Sequence, residues 1–411
     1  MESLNLVVIG AGQAGLAVSR ELKTRGIDHV VFERGRIGET WRGRWDSFCL
    51  VTPNWSVRLP GHPYDGSDPD GFMPRDEIVA YLQRYAGAVQ APVREGVAVR
   101  AISGRGDGGF TLDTSEGPVL ARQLVLCTGA YQRPHRPEAA ASLPQGLYAI
   151  DVDDYHNPQA LPAGRVLVVG SGQSGCQLAE ELHDAGRDVV LACGRAPWAT
   201  RRIGDRDVVW WVIETGFWDA PLSSLTTPDA RLFANVLATG HGGGHDMHLR
   251  TLQRMGVRLA GRFLGVLDGQ VRFGSDLMET VAWGDQRYAD FADLVRKTAR
   301  QKALAVPQIE PPPPFENEPI ECLPVEEFQA VLFAGGFRPD YGRWVHLPRA
   351  FDAMGFPLQQ DGASTVVPGL YFAGVHFLRK RQSSLLYGVG EDAAIVAESV
   401  ARRAAAAPTV A

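Results

Sequence analysis

Cysteine is scarce in this chain: Cys49, Cys127, Cys176, Cys193 and Cys322 are five in 411 residues, and no two stand at Cys-x-x-Cys spacing. A disulfide reductase needs two thiols poised together, so that chemistry lacks its residues. Cys127 and Cys193 end apolar runs and read as small core residues. Basic runs interleaved with aromatics are missing too, and the formal net charge is −6, which speaks against a nucleic-acid partner. No apolar stretch is long enough to cross a bilayer. Strand-forming residues begin almost at Met1, which predicts no cleaved leader and a cytoplasmic protein without a membrane partner.

What is abundant is glycine, 46 residues, alongside 27 prolines and 45% hydrophobic residues. That composition fits about two domains joined by many tight connections. The run Val7-Val8-Ile9-Gly10-Ala11-Gly12-Gln13-Ala14-Gly15 recurs as Leu167-Val168-Val169-Gly170-Ser171-Gly172-Gln173-Ser174-Gly175. Each copy follows an apolar strand and opens a helix. In such a loop the first glycine turns out of the strand, the second lets backbone N–H groups approach a pyrophosphate, and the third permits close helix–strand packing. One such loop is a weak signal. Two in register, with Glu21-Leu22 matching Glu181-Leu182 and Gly26 matching Gly186, predict two bound dinucleotides.

The copies part at the end of their second strands, where a carboxylate would accept hydrogen bonds from an adenosine ribose. Glu33, followed by Arg34, stands there in the first copy and Cys193 in the second. Without that acid, and with Arg195 two positions on, the second site suits a 2′-phosphate. The expectation is FAD at the first site and NADP(H) at the second, with Arg201 and Arg202 adding charge. Arg195 as an ordinary surface arginine is the alternative.

The fold class expected is α/β, two Rossmann-like dinucleotide-binding domains with the NADPH domain inserted into the FAD domain. The FAD domain is expected to span residues 1–155 and 325–411, and the NADPH domain 156–324, with a substrate-side insertion over about 205–305. The first βαβ unit covers residues 6–33, Asp76 is expected to cap a helix through Ile78, Leu82 and Tyr85, and antiparallel strands are expected over 97–102, 110–112 and 120–126. The polar stretch 132–164 reads as an interdomain hinge. Residues 231–237, 247–255 and 283–304 look helical, a hairpin is expected around Asp268-Gly269, and Pro311 to Pro314 must be extended. Residues 330–333 and 370–372 are expected as strands of the first domain.

Several motifs now combine. The paired loops, Gly38-Glu39-Thr40-Trp41-Arg42, Leu126-Cys127-Thr128-Gly129, Tyr155-His156-Asn157-Pro158 and Gly388-Val389-Gly390-Glu391-Asp392-Ala393 together resemble the class B flavin-containing monooxygenases, in particular bacterial and plant YUCCA-like members. The resemblance covers nearly the whole chain. It departs in the linker, where Asp151 occupies the position of an expected histidine and Gly146 falls one residue out of step. Ala334-Gly335-Gly336 replaces an alanine-threonine-glycine strand end. The first departure makes ketone oxygenation less expected.

The resemblance implies an FAD-dependent, NADPH-consuming monooxygenase acting on a small organic substrate at nitrogen or sulfur, by way of a C4a-hydroperoxyflavin, with O₂ as co-substrate and a homo-oligomer as one assembly. The coenzymes carry that chemistry, which agrees with the lack of a triad or of paired catalytic carboxylates. By resemblance Arg42 reaches the FAD phosphates, and Trp41, Trp45, Thr128, Gly129 and Gly374 belong to the same site. Asn54 lies where the family places an amide near the reacting ring, although it could equally be a turn asparagine beside Pro53. Gly388 and Gly390 open a helix whose N-terminus would face the flavin pyrimidine edge, with Glu391 and Asp392 as first-turn residues.

His241, His245 and His248 form a group, but glycines separate them and no further ligand completes a metal set. Trp210, Trp211 and Trp218 are expected either in the core or along a substrate pocket. Two other classes stay open: an NADPH-dependent flavoprotein reductase or oxidase that oxygenates nothing, and a non-catalytic dinucleotide sensor.

Overall fold

The computed structural model describes residues 1–232 and 236–406. Among them, ten strands form one sheet and five form a second. In the first, Glu2–Ile9 runs parallel between Val30–Glu33 and Gly117–Leu126, and Val93–Glu95 continues the parallel set beyond Val30–Glu33. The strand Gly117–Leu126 changes partner along its length. Its first half pairs antiparallel with Phe110–Thr114, and its last three residues pair parallel with Leu370–Phe372. Val7, Val8, Leu124 and Val125 are fully buried, as central strands covered on both faces must be. The helix Gln13–Thr24 puts Leu16, Ala17, Val18 and Leu22 into that core and packs on Val389–Ala406.

The second sheet is wholly parallel, in the order Tyr148–Asp151, Phe328–Phe333, Arg165–Val169, Val189–Ala192, Arg258–Ala260. Two of its strands correct the expected boundaries. Residues 330–333 belong here and not to the first domain, and Tyr148–Asp151 lies inside what reads as a hinge. Both are short apolar runs whose partners sit far away in sequence, and strand order is not encoded locally. The second sheet therefore draws on residues before 156 and past 324.

Smaller expectations divide. The helix Arg75–Val89 starts after Pro74, so Asp76 sits in its first turn, where a carboxylate meets the positive end of the helix, and is not the cap. The hairpin Phe263–Leu267 with Gln270–Phe273 turns at Asp268 and Gly269, both with positive φ. Leu249–Met255 and Leu277–Gln301 are helices. Of 231–237, Pro228–Leu232 is a 3₁₀ turn, 233–235 lie outside the described residues, and Leu237 forms a bridge with Trp198. No helix among the described residues is long and apolar enough to cross a membrane.

Candidate active site: two glycine loops and the seam between them

The two loops are built alike to the atom. Gly10 and Gly170 have φ of +102° and +108°, a conformation that disfavours any side chain. A Cβ at Gly10 would meet the Cys127 carbonyl oxygen, and one at Gly170 the Ala334 carbonyl oxygen; at Gly15 and Gly175 it would collide with the carbonyl of Gly10 or Gly170. Ala334 thus serves the second loop as Cys127 serves the first. The strand end that differs from the family pattern is a second-unit element. At Gly12 and Gly172 nothing lies within 4 Å of such a Cβ, so both loops present open backbone where a pyrophosphate would rest.

Glu33 is buried, and its carboxylate accepts from Ala11 N at 2.7 Å and Gly35 N at 3.0 Å. It holds the first loop from the end of the second strand, while Arg34 beside it is exposed. Gln13 donates to Ser384 O at 3.1 Å and accepts from Trp41 Nε1 at 3.0 Å, which draws the Glu39–Arg42 turn and the Arg381–Ser384 turn to the loop. Arg42 Nε is buried with no hydrogen-bond partner among the described residues. An unpaired guanidinium nitrogen beside an open glycine loop fits a phosphate. Ala14 abuts Gly374, and Gly129, whose carbonyl accepts from Tyr341 OH at 2.7 Å, lies against the Gly374 carbonyl. Thr128 is exposed and accepts from Gln132. Gly388 packs on Gln382 and Gly390 on Pro60. Tyr341, Gln382 and Pro60 carry no motif, and sequence reading missed them.

Burial pushes the Cys127 thiol up, as it does Cys176, to about 12, and Cys193; all five cysteines are free. Glu391 and Asp392 are bound by Arg379, each at 3.1 Å, and Lys380 holds Glu391 at 3.0 Å. They are first-turn helix residues in ion pairs.

In the second loop, Ser171 Oγ donates to Gly194 O at 2.7 Å and accepts from Gly194 N at 2.9 Å, fixing the turn after Cys193. Gln173 bonds both backbone groups of Ala238, and Ser174 is half-buried beside it. Arg195 is exposed and makes no hydrogen bond or ion pair among the described residues. Arg201 corrects an expectation. It is 5% exposed, pairs with Asp207 at 2.5 Å, donates to Val51 O at 2.8 Å and lies over Phe72 at 4.5 Å, so it braces the seam and is not free for a phosphate. Arg202 is exposed and donates to Asp205 O.

Asn54 is buried, with Nδ2 donating to Asp68 O at 2.9 Å and Oδ1 accepting from Met73 N at 2.7 Å. The turn-asparagine reading describes these bonds: Asn54 closes the loop that runs to Met73, and one amide hydrogen remains. Trp45 is buried, packing with the core of the second unit and with Phe48 at 5.0 Å, and it lines a small cavity with Gln177 and Glu181. Burial raises the Glu181 carboxyl to about 7. Asp46 accepts from Arg75 and Asn157, each at 2.8 Å, so two of the motif segments meet at this seam. Asp151 accepts from Arg136 Nε at 2.8 Å and ends its strand beside Phe333.

The histidines take separate structural roles. His245 pairs with Glu180 at 2.6 Å, which raises its pKa; His248 caps the helix Leu249–Met255 and lies tilted against Trp198, 4.4 Å between ring centroids; and no metal-binding group forms among the described residues. Trp211 is core, donating to Ile203 O at 2.9 Å, Trp210 lies under Arg206, and Trp218 meets Tyr387 at 5.2 Å, next to Gly388.

With this geometry in place, comparison with known proteins is direct. A family profile described as pyridine nucleotide-disulphide oxidoreductase matches residues 7–213. The uncharacterized oxidoreductase CzcO-like of Geobacillus kaustophilus is 31% identical over 392 residues, covering 95% of this chain and 96% of that one. Indole-3-pyruvate monooxygenase YUCCA1 of Oryza sativa subsp. japonica is 32% identical over 191 residues, 45% of this chain and 47% of that one. In structure, the flavin-containing monooxygenase from Stenotrophomonas maltophilia superposes with a TM-score of 0.66 at 19% identity, covering 98% of this chain and all of that one.

The chain belongs to the pyridine nucleotide-disulphide oxidoreductase family, and over part of its length it is similar to flavin-dependent monooxygenases. It is an oxidoreductase with two Rossmann-like units. The open loops, the Glu33 carboxylate and the unpaired Arg42 nitrogen fit dinucleotide cofactors.

Proposed function

We propose that this oxidoreductase places one oxygen atom from O₂ on a nucleophilic nitrogen or sulfur of a small organic substrate, with FAD on the first glycine loop and NADPH on the second. The division carrying the two coenzymes is taken as residues 135–336 for the NADPH unit and the flanking segments for FAD. The observation that carries the assignment is the asymmetry of two otherwise equal loops: a buried carboxylate holds the first, and a thiol with a free arginine follows the second. Bound FAD and NADPH supply the hydride and the activation of oxygen. The chain positions them. Glu33 and Gly12 receive the FAD ribose and pyrophosphate, Arg42 neutralises a phosphate, and Gly172 and Arg195 receive NADPH. The helix beginning at Val389 faces its N–H groups toward charge that builds on the flavin. Asn54 holds its loop and keeps one amide hydrogen for the reacting region, and the Trp45–Asn54 segment, pressed onto the second unit, keeps water out.

Isotopically labelled O₂ with NADPH and a panel of amines, amino acids and sulfides tests the reading. One labelled atom in the product for each NADPH consumed is expected. Stoichiometric hydrogen peroxide with no labelled product from any of them would establish an oxidase instead, and absence of flavin reduction would establish a sensor.

A further inference from the structure

Three cations follow one another on the turn that leads to Gly388, and only two are neutralised. Arg379 binds Asp361, Glu391 and Asp392 at 3.0 to 3.1 Å, and Lys380 binds Asp219 and Glu391 at 3.0 Å. Arg381 has no ion pair and no side-chain hydrogen bond among the described residues, and its Nε is buried without a partner. Its guanidinium is held between two rings, 4.2 Å from the centroid of Phe217 and 4.7 Å from that of Phe377. Desolvation brings its pKa down to about 10. Removing a guanidinium from water without a counter-charge is costly, and the nearest acid on the facing segment, Asp219, is already taken by Lys380 and Gln382.

The position adds meaning to the missing partner. Phe217 comes from the inserted segment and Phe377 from the first unit, three residues beyond Gly374. Arg381 N donates to Ala220 O at 2.9 Å, and Ser384, on the same turn, accepts from Gln13 in the first glycine loop. The guanidinium therefore stands at the seam where the insertion meets the flavin-side loop, with Trp218 and Tyr387 continuing its aromatic wall. Flanking rings set the plane of a guanidinium and leave its edge for a planar, bidentate acceptor.

We propose that Arg381 anchors the carboxylate of the substrate, so that the molecule oxygenated is an organic acid whose apolar part lies along Phe217, Phe377 and Trp218. This deepens the monooxygenase reading and rests on it for the word substrate. Binding itself can be measured without turnover.

The test uses the FAD-loaded protein and reads the flavin absorbance on titration with phenylacetate, indole-3-acetate and 3-(methylthio)propionate, each against its neutral amide. Acids are expected to bind about tenfold to hundredfold more tightly than their amides, the increment of a charge-assisted pair. Arg381→Met should abolish that preference, and Arg381→Lys should restore part of it, with bound flavin showing that both variants are folded. Equal affinity for acid and amide in the unaltered protein, no binding by any of the acids at millimolar concentration, or an acid preference that survives in Arg381→Met would overturn the proposal. Peroxide without labelled product in the O₂ experiment would leave the acid preference intact, so the two failures are distinguishable.

Discussion

Three arginines that follow the second nucleotide strand look interchangeable in the sequence and have different surroundings in the fold. Arg195 is exposed and unpaired, Arg202 is exposed on a tight turn, and Arg201 is buried under contacts from residues 51, 207 and 239. Proximity along the chain predicts all three as phosphate ligands, because no local pattern reveals contacts with partners as distant as Val51. Arg195→Ala should lower the ratio of flavin reduction by NADPH over NADH by about tenfold, the loss of one charge-assisted contact. An unchanged ratio would remove Arg195 from the site. Arg201→Met should instead cost about 3–5 kcal/mol in urea unfolding, since Asp207 would be left largely buried without its partner. His248 supplies a pH-dependent counterpart. Burial depresses its pKa to about 4, and its neutral Nδ1 accepts from Thr251 N at 3.3 Å. Below its ordinary value of about 6.5 the unfolded chain takes up a proton that the folded chain refuses, so this contribution to stability is complete above pH 6.5 and is lost as pH falls toward 4. His248→Asn, which keeps an acceptor at the cap, should flatten the slope of unfolding free energy across that window.

At the scale of elements, the strand–loop–helix units are the legible part, because their glycine spacing is dictated within a dozen residues. Gly10 and Gly15 are required by contacts inside the same unit or with the adjacent strand end. The strand Phe328–Phe333 is misplaced from sequence for the opposite reason: the apolar run of four at 330–333 fits either sheet, and only its pairing with Arg165–Val169 and Tyr148–Asp151 decides. The loops also separate folding from binding. Gly15→Ala or Gly175→Ala would force a side chain into a backbone carbonyl and should destabilise the protein by about 1–3 kcal/mol in thermal or urea unfolding. Gly12→Ala has room for its methyl in the folded chain, yet on the proposed reading the methyl would intrude where the pyrophosphate rests. Its expected outcome is a lowered flavin content on purification with little change in the stability of the apoprotein. Gly172→Ala should retain flavin and lose only reduction by NADPH.

At the scale of the whole molecule, the site lies where segments of the first unit rest on the second, and that seam is the least legible part. Trp45 reads as a flavin contact because its neighbours carry the family motif. In the fold its ring lines a cavity together with Gln177 and Glu181 of the helix Gln173–Asp184, contacts that no local pattern reveals. Trp45→Ala should accordingly raise hydrogen peroxide release per NADPH while sparing flavin content, since it loosens the closure between units and leaves the FAD loop alone. Peroxide release equal to wild type would mean the seam excludes no water.

The two places where the chain crosses between sheets lie side by side. Arg133–Pro134 pairs antiparallel with Phe337–Arg338, and His135 N donates to Gly336 O at 2.9 Å. Outgoing and returning strands thus share one short clasp, and both move together whenever either bends. The crossing is one tie among several, for Arg201 reaches Val51 O at 2.8 Å and Arg381 N reaches Ala220 O at 2.9 Å away from it. Cutting the chain at either crossing would therefore leave the two units still fastened to one another through side-chain and main-chain bonds elsewhere.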